Sequence, residues 1–492
     1  MSELQHDETK CYVRTIRDLL IDNTDKVKLR IPPYQRKYTW DKENRRQLCQ
    51  DIITARRSGT SEYHLGTLIF HQNGDYLDIV DGQQRLTTIG MMLNSQNNVQ
   101  IHLEYTRTDW VGKDNLWQGI SLWENDRTRS ELLSMLPDCT VVCIVVTDIA
   151  EAFQLFSTQN GRGKELTPVN LLKAYHFHEM GQANGGLINH QSSPPAEVYR
   201  IEGRWEYENS LITSQGEQLL TEVLSEHLFR LRKWGFGEFI TDLFSRVYLS
   251  EFKGITLDNH HEPLPLMNSA LLRRLFKTHY QRSGLSLQGL GNRLGDNQQD
   301  PLTLDPFVTV NQSIINGEDF FSYASTFVTE YQLLFPTYEK TDKRPSRIKI
   351  KEIPELTGYH DFYERNCLKY PGSERKGDSY ARHIFESLCI MLFDRFGISG
   401  LMSTYKHLFR FAYFERYKQE RLFYQTAGSN YAVRCCNAIL SSETKAELEK
   451  QFDSLTNDIK DKLKDRKDTK CFSDNTVDGQ ERIQLMSAGR NV

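Results

Sequence analysis

The chain predicts an α+β protein: a mixed α/β unit over residues 1–180, then a mostly α-helical region. Two patterns carry that prediction. Up to about residue 180, short runs rich in valine and isoleucine alternate with amphipathic stretches of period 3.6. Beyond residue 200 the apolar residues recur almost only at helical spacing. A third observation sets the boundary, because residues 181–195 are rich in Gly, Asn, Ser and Pro and read as a break.

The elements follow in order. Residues 12–21 have helical apolar spacing, and 28–31 form a brief strand before Pro32-Pro33. A helix is expected over 41–57, with Asp41 as N-cap and Leu48, Ile52 and Ile53 as its apolar stripe. Residues 65–71 and 76–80 are two apolar runs joined through Asn73-Gly74, a strong hairpin signal. The Asp81-Gly82 turn leads into a helix over 86–93. Strands are expected at 101–105 and 140–147, and helices at 150–158 and 168–179, the last opened by Thr167 with Pro168 at its first position. The linker is drawn at 181–200. Helices then follow at 219–233, 236–250, 267–280, 320–334, 380–396, 400–417 and 443–465 within a region 201–468, with breaks at 284–306 and 337–346. Residues 469–492 are polar and aperiodic and are expected to be a disordered tail.

Composition narrows the function classes. The 492 residues are 38% hydrophobic and 26% charged, which excludes a disordered or fibrous chain. No run approaches the roughly 18 apolar residues of a membrane span, and the polar start MSELQHDETK lacks a secretory pattern, so a cytoplasmic protein without a membrane partner is expected. Lys and Arg number 61 against 65 Asp and Glu, a net charge of −4, so any polyanion site must be a local patch. The nine cysteines form no CxxC pair and are expected to be reduced structural thiols.

Three segments could carry chemistry. In Ile31–Trp40, IPPYQRKYTW, a stiff diproline precedes Tyr34, Gln35, Arg36, Lys37, Tyr38 and Trp40. Aromatic faces interleaved with cations can stack on bases and grip phosphates. Lys28, Arg30, Lys42, Arg45, Arg46, Arg56 and Arg57 extend a basic stretch opposed only by Asp41, Glu43 and Asp51, and a solvated helix face explains it equally well. In Asp81-Gly82-Gln83-Gln84-Arg85, a strand-to-helix turn would aim amides and a positive helix end at an anion, with Arg85 adding a bidentate fork. A plain Asp-Gly helix cap is the competing explanation. No GxxxxGK[ST] phosphate loop occurs. The third segment, residues 156–167, places Asn160 and Lys164 around Gly161-Arg162-Gly163 in a cationic loop, or in an ordinary C-cap and exposed turn.

Taken together, IPPYQRKYTW, YHLGTLIF, DIVDGQQRLTTI and FSTQNGRGKELTPVNLLKAY stand in an order and spacing that resembles the DGQQR-motif family. These are ParB-like, sulfiredoxin-fold domains, found in the N-terminal part of GmrSD-type modification-dependent restriction enzymes and in SspE-like defence proteins. The resemblance covers residues ~12–180 and continues more loosely through the helical remainder.

The resemblance implies a bacterial defence domain that binds and hydrolyses a nucleoside triphosphate, GTP or ATP, with Mg2+. Asp81, Gln83, Gln84 and Arg85 would be catalytic, with Gly82, Tyr34, Gln35, Arg36, Asn160 and Lys164 around the nucleotide. Lys37, Tyr38, Trp40, Arg45 and Arg46 would contact foreign or modified DNA. No metal-ligand cluster is visible along the chain. Relatives often end in a His-Asn nuclease domain. Here only the fragments His260-His261-Glu262-Pro263 and Gly291-Asn292 occur, and His383 lies at apolar helical spacing. A nuclease on a partner chain of the same family is therefore expected, along with homo-oligomer surfaces on the helical half. A non-catalytic nucleotide- or DNA-binding scaffold is the alternative, and direct nicking by the ParB-like domain ranks last.

Overall fold

The computed structural model describes residues 10–22, 28–32, 35, 38, 40–59, 63–94, 101–105, 126–147, 151–152, 155, 167–183, 196–238, 240, 244–256, 272–273, 275–276, 308–339, 345–348, 353–419, 421–427 and 431–463. The chain divides into two compact units, Met1–Gly203 and Arg204–Val492. An N-terminal mixed sheet with helices and a mostly helical second unit make the architecture α+β.

The first unit is built on six strands: β1 (Lys10–Thr15), β2 (Lys28–Ile31), β3 (His64–Asn73), β4 (Tyr76–Asp81), β5 (Glu104–Tyr105) and β6 (Thr140–Val146). Their order is β1-β6-β3-β4-β2-β5. β1 runs antiparallel to β6, and β3 antiparallel to β4, while β6–β3, β4–β2 and β2–β5 are parallel. Two helices bear on the site, α1 (Lys42–Arg57) and α2 (Gln83–Asn94).

The apolar pattern specifies this packing. Leu68, Phe70, Leu77, Ile79, Val141 and Cys143 share one buried cluster with Ile52 and Ile53 of α1 and Leu86, Ile89 and Leu93 of α2. In β3 strict alternation would pair Leu65 with Thr67, yet Leu65 and Leu68 both enter this core. A register shift between His64 and Thr67, with Gly66 at φ +98°, accounts for the extra residue. α1 begins where expected. Asp41 accepts from the Asn44 amide at 2.8 Å and Asn44 returns a contact to the Asp41 amide, closing a capping box.

Several expectations are corrected. The helix expected at 12–21 is instead β1 followed by a short π-helical turn, Arg17–Ile21. Valine-rich β6 presents edge amides and carbonyls that need partners, and β1 pairs with it from Lys10↔Val145 to Thr15↔Thr140. The expected hairpin forms, but its first strand runs on through Gln72 and Asn73, which pair with Leu77 and Tyr76, and leaves Gly74-Asp75 as the turn. The strand expected at 101–105 is only Glu104–Tyr105, and the helix Asp126–Met135 was not foreseen. The helix Pro168–Ala183 starts as expected, with the Thr167 hydroxyl 3.3 Å from the Asn170 amide. Most of the helix expected at 150–158 lies outside the described residues, as do the break at 284–306 and the tail at 469–492.

In the second unit the expected helix 219–233 is a continuous run, Leu219–Glu222, the π-helical turn Val223–Leu228, and Phe229–Gly235. It stops at Gly237, where φ is +75°. Of the expected helix 236–250, residues 239 and 241–243 lie outside the described residues, and its C-terminal part is a 3-10 helix, Arg246–Phe252. The expected break 337–346 is partly paired: β7 (Leu211–Thr213), β8 (Thr337–Glu339) and β9 (Ser346–Arg347) form a small antiparallel sheet. Glu318–Leu334 and Lys445–Leu463 match expected helices, and Lys376–Lys418 contains two, joined at Gly397 with φ 61°. All eight described cysteines are free thiols, and no helix among the described residues is long and apolar enough to cross a membrane.

Candidate nucleotide site at a strand-to-helix corner

The site is the junction of β4 and α2. β4 ends at Asp81, Gly82 turns the chain at φ +92°, and α2 starts at Gln83. A Cβ on Gly82 would lie 2.2 Å from Leu68 Cδ2, so the corner is both left-handed and pressed onto β3. The Leu86 amide bonds the Gly82 carbonyl at 2.9 Å, the first bond of the helix. A helix offers its own first-turn amides no internal acceptor, and its dipole concentrates positive potential there.

Arg85 projects from that first turn. Its Nη1 donates to the Thr67 carbonyl at 3.2 Å, and the guanidinium lies over Gly66, where an added Cβ would be 3.2 Å from Nη1. Among the described residues it has no salt bridge. Burial pushes its pKa down from the usual arginine value, opposed by the charges of Asp81 and then Tyr63. Burial also raises Tyr63, with Asp51 and Cys139 adding to it and Arg85 opposing. The result is a half-buried cation with most of its donors uncommitted, beside a positive helix end.

The IPPYQRKYTW segment is stitched onto this corner. Gln35 Nε2 donates to the carbonyls of Ile79 and Val80 at 2.9 and 2.7 Å, extending the hydrogen bonding of β4 with a side chain. The Trp40 amide donates to Gln84 Oε1 at 3.2 Å. Thr88 gives its hydroxyl proton to the Gln84 carbonyl at 2.8 Å, so the Tyr38 hydroxyl, also at 2.8 Å, donates to Thr88 Oγ1. Gln83 and Gln84 are buried, and Gln84 spends its side-chain oxygen on Trp40. Arg45 donates to the Trp40 carbonyl at 3.1 Å, while Arg46 is exposed on α1.

The structure thus brings Gln35, Tyr38, Trp40, Arg45 and the Asp81–Arg85 turn together. Tyr34, Arg36, Lys37, Asn160 and Lys164 lie outside the described residues. The basic stretch is smaller than its composition suggests. Arg30 is buried and clamps Asp78 through two bonds of 2.6 and 2.8 Å, with Asn73 on the same carboxylate, and Arg57 reaches Glu131 at 3.3 Å. Sequence reasoning missed Gly66 and Thr88. Gly66 was legible as a lone glycine inside a strand, which marks a bulge or a close approach.

Residues 198–470 match a family model described as Family of unknown function (DUF7834), more than half of the chain, and the protein belongs to that family. Residues 16–177, which include this corner, match the model for the GmrSD restriction endonuclease, N-terminal domain, so the first unit is a domain of that family. No curated protein matches the chain.

Proposed function

We propose that the Asp81–Arg85 corner binds the phosphates of GTP or ATP with Mg2+ and hydrolyses the γ-phosphate, in a restriction-type defence protein that responds to foreign or modified DNA. One observation carries the reading: a half-buried arginine that, among the described residues, has a single long hydrogen bond and no ion pair, set beside a helix N-terminus. A triphosphate would supply the charge that Arg85 lacks. Asp81, at the strand end, would order the attacking water or hold Mg2+, while the amides of the turn and Arg85 stabilise charge on the phosphates. Tyr38, Trp40 and Arg45, next to the corner, and Arg46, exposed on α1, would contact DNA and transmit that contact to it. The GmrSD domain supports the defence setting. DNA cleavage would come from a nuclease on a partner chain.

A second reading is favoured by Gln83 and Gln84. Both are buried, and Gln84 is engaged with Trp40 rather than exposed to orient a water. On that reading the corner binds nucleotide without turning it over and the chain is a scaffold. Phosphate release from purified protein with GTP or ATP, Mg2+ and DNA separates the two. The catalytic reading predicts release that falls at least about 100-fold in Arg85→Ala, the usual scale for losing one preorganised charge contact. A thermal shift by nucleotide without release supports the scaffold, and neither shift nor release contradicts both.

A further inference from the structure

The second unit holds a buried cluster that the nucleotide reading does not use. Glu222 ends the helix Leu219–Glu222, His227 lies in the π-helical turn Val223–Leu228, and His383 and Glu386 sit three residues apart on the helix Lys376–Lys418. An α-helix would splay residues five apart by about 140°, whereas i→i+5 bonding brings them back to one face, as for Glu222 and His227. The Phe229 amide bonds the Leu224 carbonyl in that register. One oxygen or nitrogen from each of Glu222, His383 and Glu386 lies within 4.8 Å of the others.

Glu222, Glu386 and His227 each have one side-chain atom held by a hydroxyl and a second without a hydrogen bond. Glu222 Oε2 accepts from the Thr213 hydroxyl at 3.0 Å, and Glu386 Oε1 accepts from the Tyr363 hydroxyl. The Ser387 hydroxyl donates its one proton to the His383 carbonyl at 2.7 Å, so at 2.9 Å it must accept from His227 Nδ1–H. With Nδ1 engaged by Ser387, Nε2 is the His227 nitrogen turned toward Glu386. Glu222 Oε1, Glu386 Oε2 and His227 Nε2 are all buried without a hydrogen-bond partner. They meet as two pairs at 3.4 Å, His227 Nε2 with Glu386 Oε2 and His383 Nε2 with Glu222 Oε1.

That spacing discriminates. A charge-assisted N–H···O bond closes to about 2.7–2.9 Å, so these pairs are too long to be good ones. Ligands about 2.0–2.1 Å from a tetrahedral ion are about 3.4 Å apart, which is the spacing within these two pairs; Glu222, His383 and Glu386 lie within 4.8 Å of one another, and His227 joins them through Glu386. Glu222, Glu226 and Glu386 face Arg230 and Arg382; Arg230 is paired with Glu226 at 2.9 Å, and Arg382 Nη1 is turned to the Cys367 and Ser373 carbonyls. The imidazole of His383 lies among the three carboxylates, 3.4 Å from Glu222 and 3.8 Å from Glu226. Gln215 Nε2 lies 2.8 Å from His383 Nε2, and an ion would take over that lone pair.

We propose that Glu222, His383 and Glu386, with His227 completing the set, bind a divalent transition-metal ion of the zinc or manganese kind. Two imidazoles with two carboxylates suit such ions better than Mg2+ or Ca2+. The hydroxyls of Thr213, Tyr363 and Ser387 orient the ligands from behind. The sequence concealed the site because its two halves stand about 160 positions apart.

The test uses the full chain. Protein purified from medium supplemented with Zn2+ and Mn2+ is assayed for bound metal, and metal-free protein is titrated with Co2+ while its visible absorption is followed. The expected results are about one ion per chain, Co2+ bands of tetrahedral or five-coordinate intensity, and loss of both in His383→Asn and in Glu386→Gln. The Co2+ spectrum of the unaltered protein reads coordination directly, whether or not a variant folds. Substoichiometric metal with no Co2+ band, or full metal retention in both folded variants, overturns the site.

Discussion

Gly66 and Gly82 are the residues on which the corner's geometry turns. Both have left-handed φ, so alanine costs about 1–2 kcal/mol at either. The surroundings then separate them. At Gly66 a methyl meets the far end of Arg85, which can give way, while at Gly82 it runs into Leu68 in the core. Gly82→Ala is therefore expected to cost about 1–3 kcal/mol more than Gly66→Ala in urea unfolding, the scale of overpacking. Equal losses would contradict the packing described. Gly66→Ala should also weaken nucleotide binding by displacing the guanidinium. Arg30 and Asp78 give a second residue-scale prediction. Both are buried, so Asp78→Ala removes the carboxylate that holds the Arg30 guanidinium through two bonds and is expected to cost about 3–5 kcal/mol, whereas replacing the pair together by Met and Leu costs far less. A small loss for Asp78→Ala alone would show that water reaches Arg30.

At the scale of elements, α1 and the β3–β4 hairpin were legible because their signals are local: Asp41 caps its own helix, and Gly74 makes its own turn. Asp41→Ala should lower stability by about 1 kcal/mol, checked by chemical unfolding, and no loss would show that Asn44 alone caps α1. β1 was not legible. Val13, Ile16, Leu19 and Leu20 are spaced for a helix, and the strand forms only because β6, about 130 residues away in sequence, needs an edge partner. The same holds for the site. The turn at Asp81–Arg85 could be read as an anion corner, but the bonds from Gln35, Tyr38 and Trp40 that fasten a distant segment to it could not, since each spans more than forty residues. Tyr38→Phe tests that fastening. It removes one hydrogen bond, about 1 kcal/mol of stability, and should weaken the response of turnover to DNA more than turnover without DNA.

The whole molecule joins a GmrSD restriction endonuclease N-terminal domain to a helical unit of a family of unknown function. Its net charge of −4 means that any DNA affinity must come from a local group such as Arg45 and Arg46, and must fall steeply with salt. Replacing both by alanine is expected to flatten the dependence of log affinity on log salt by about 2, and an unchanged slope would place DNA elsewhere on the chain. The account as a whole depends on a triphosphate docking at the β4–α2 corner. Calorimetric titration of the full chain with a non-hydrolysable GTP or ATP analogue and Mg2+ tests this most directly, because it reads binding whether or not turnover follows. The account predicts saturable binding that Arg85→Ala weakens by about 1.5–3 kcal/mol, the range for a hydrogen bond to a charged group, with the variant still melting cooperatively. Equal affinity in a folded Arg85→Ala protein would contradict it.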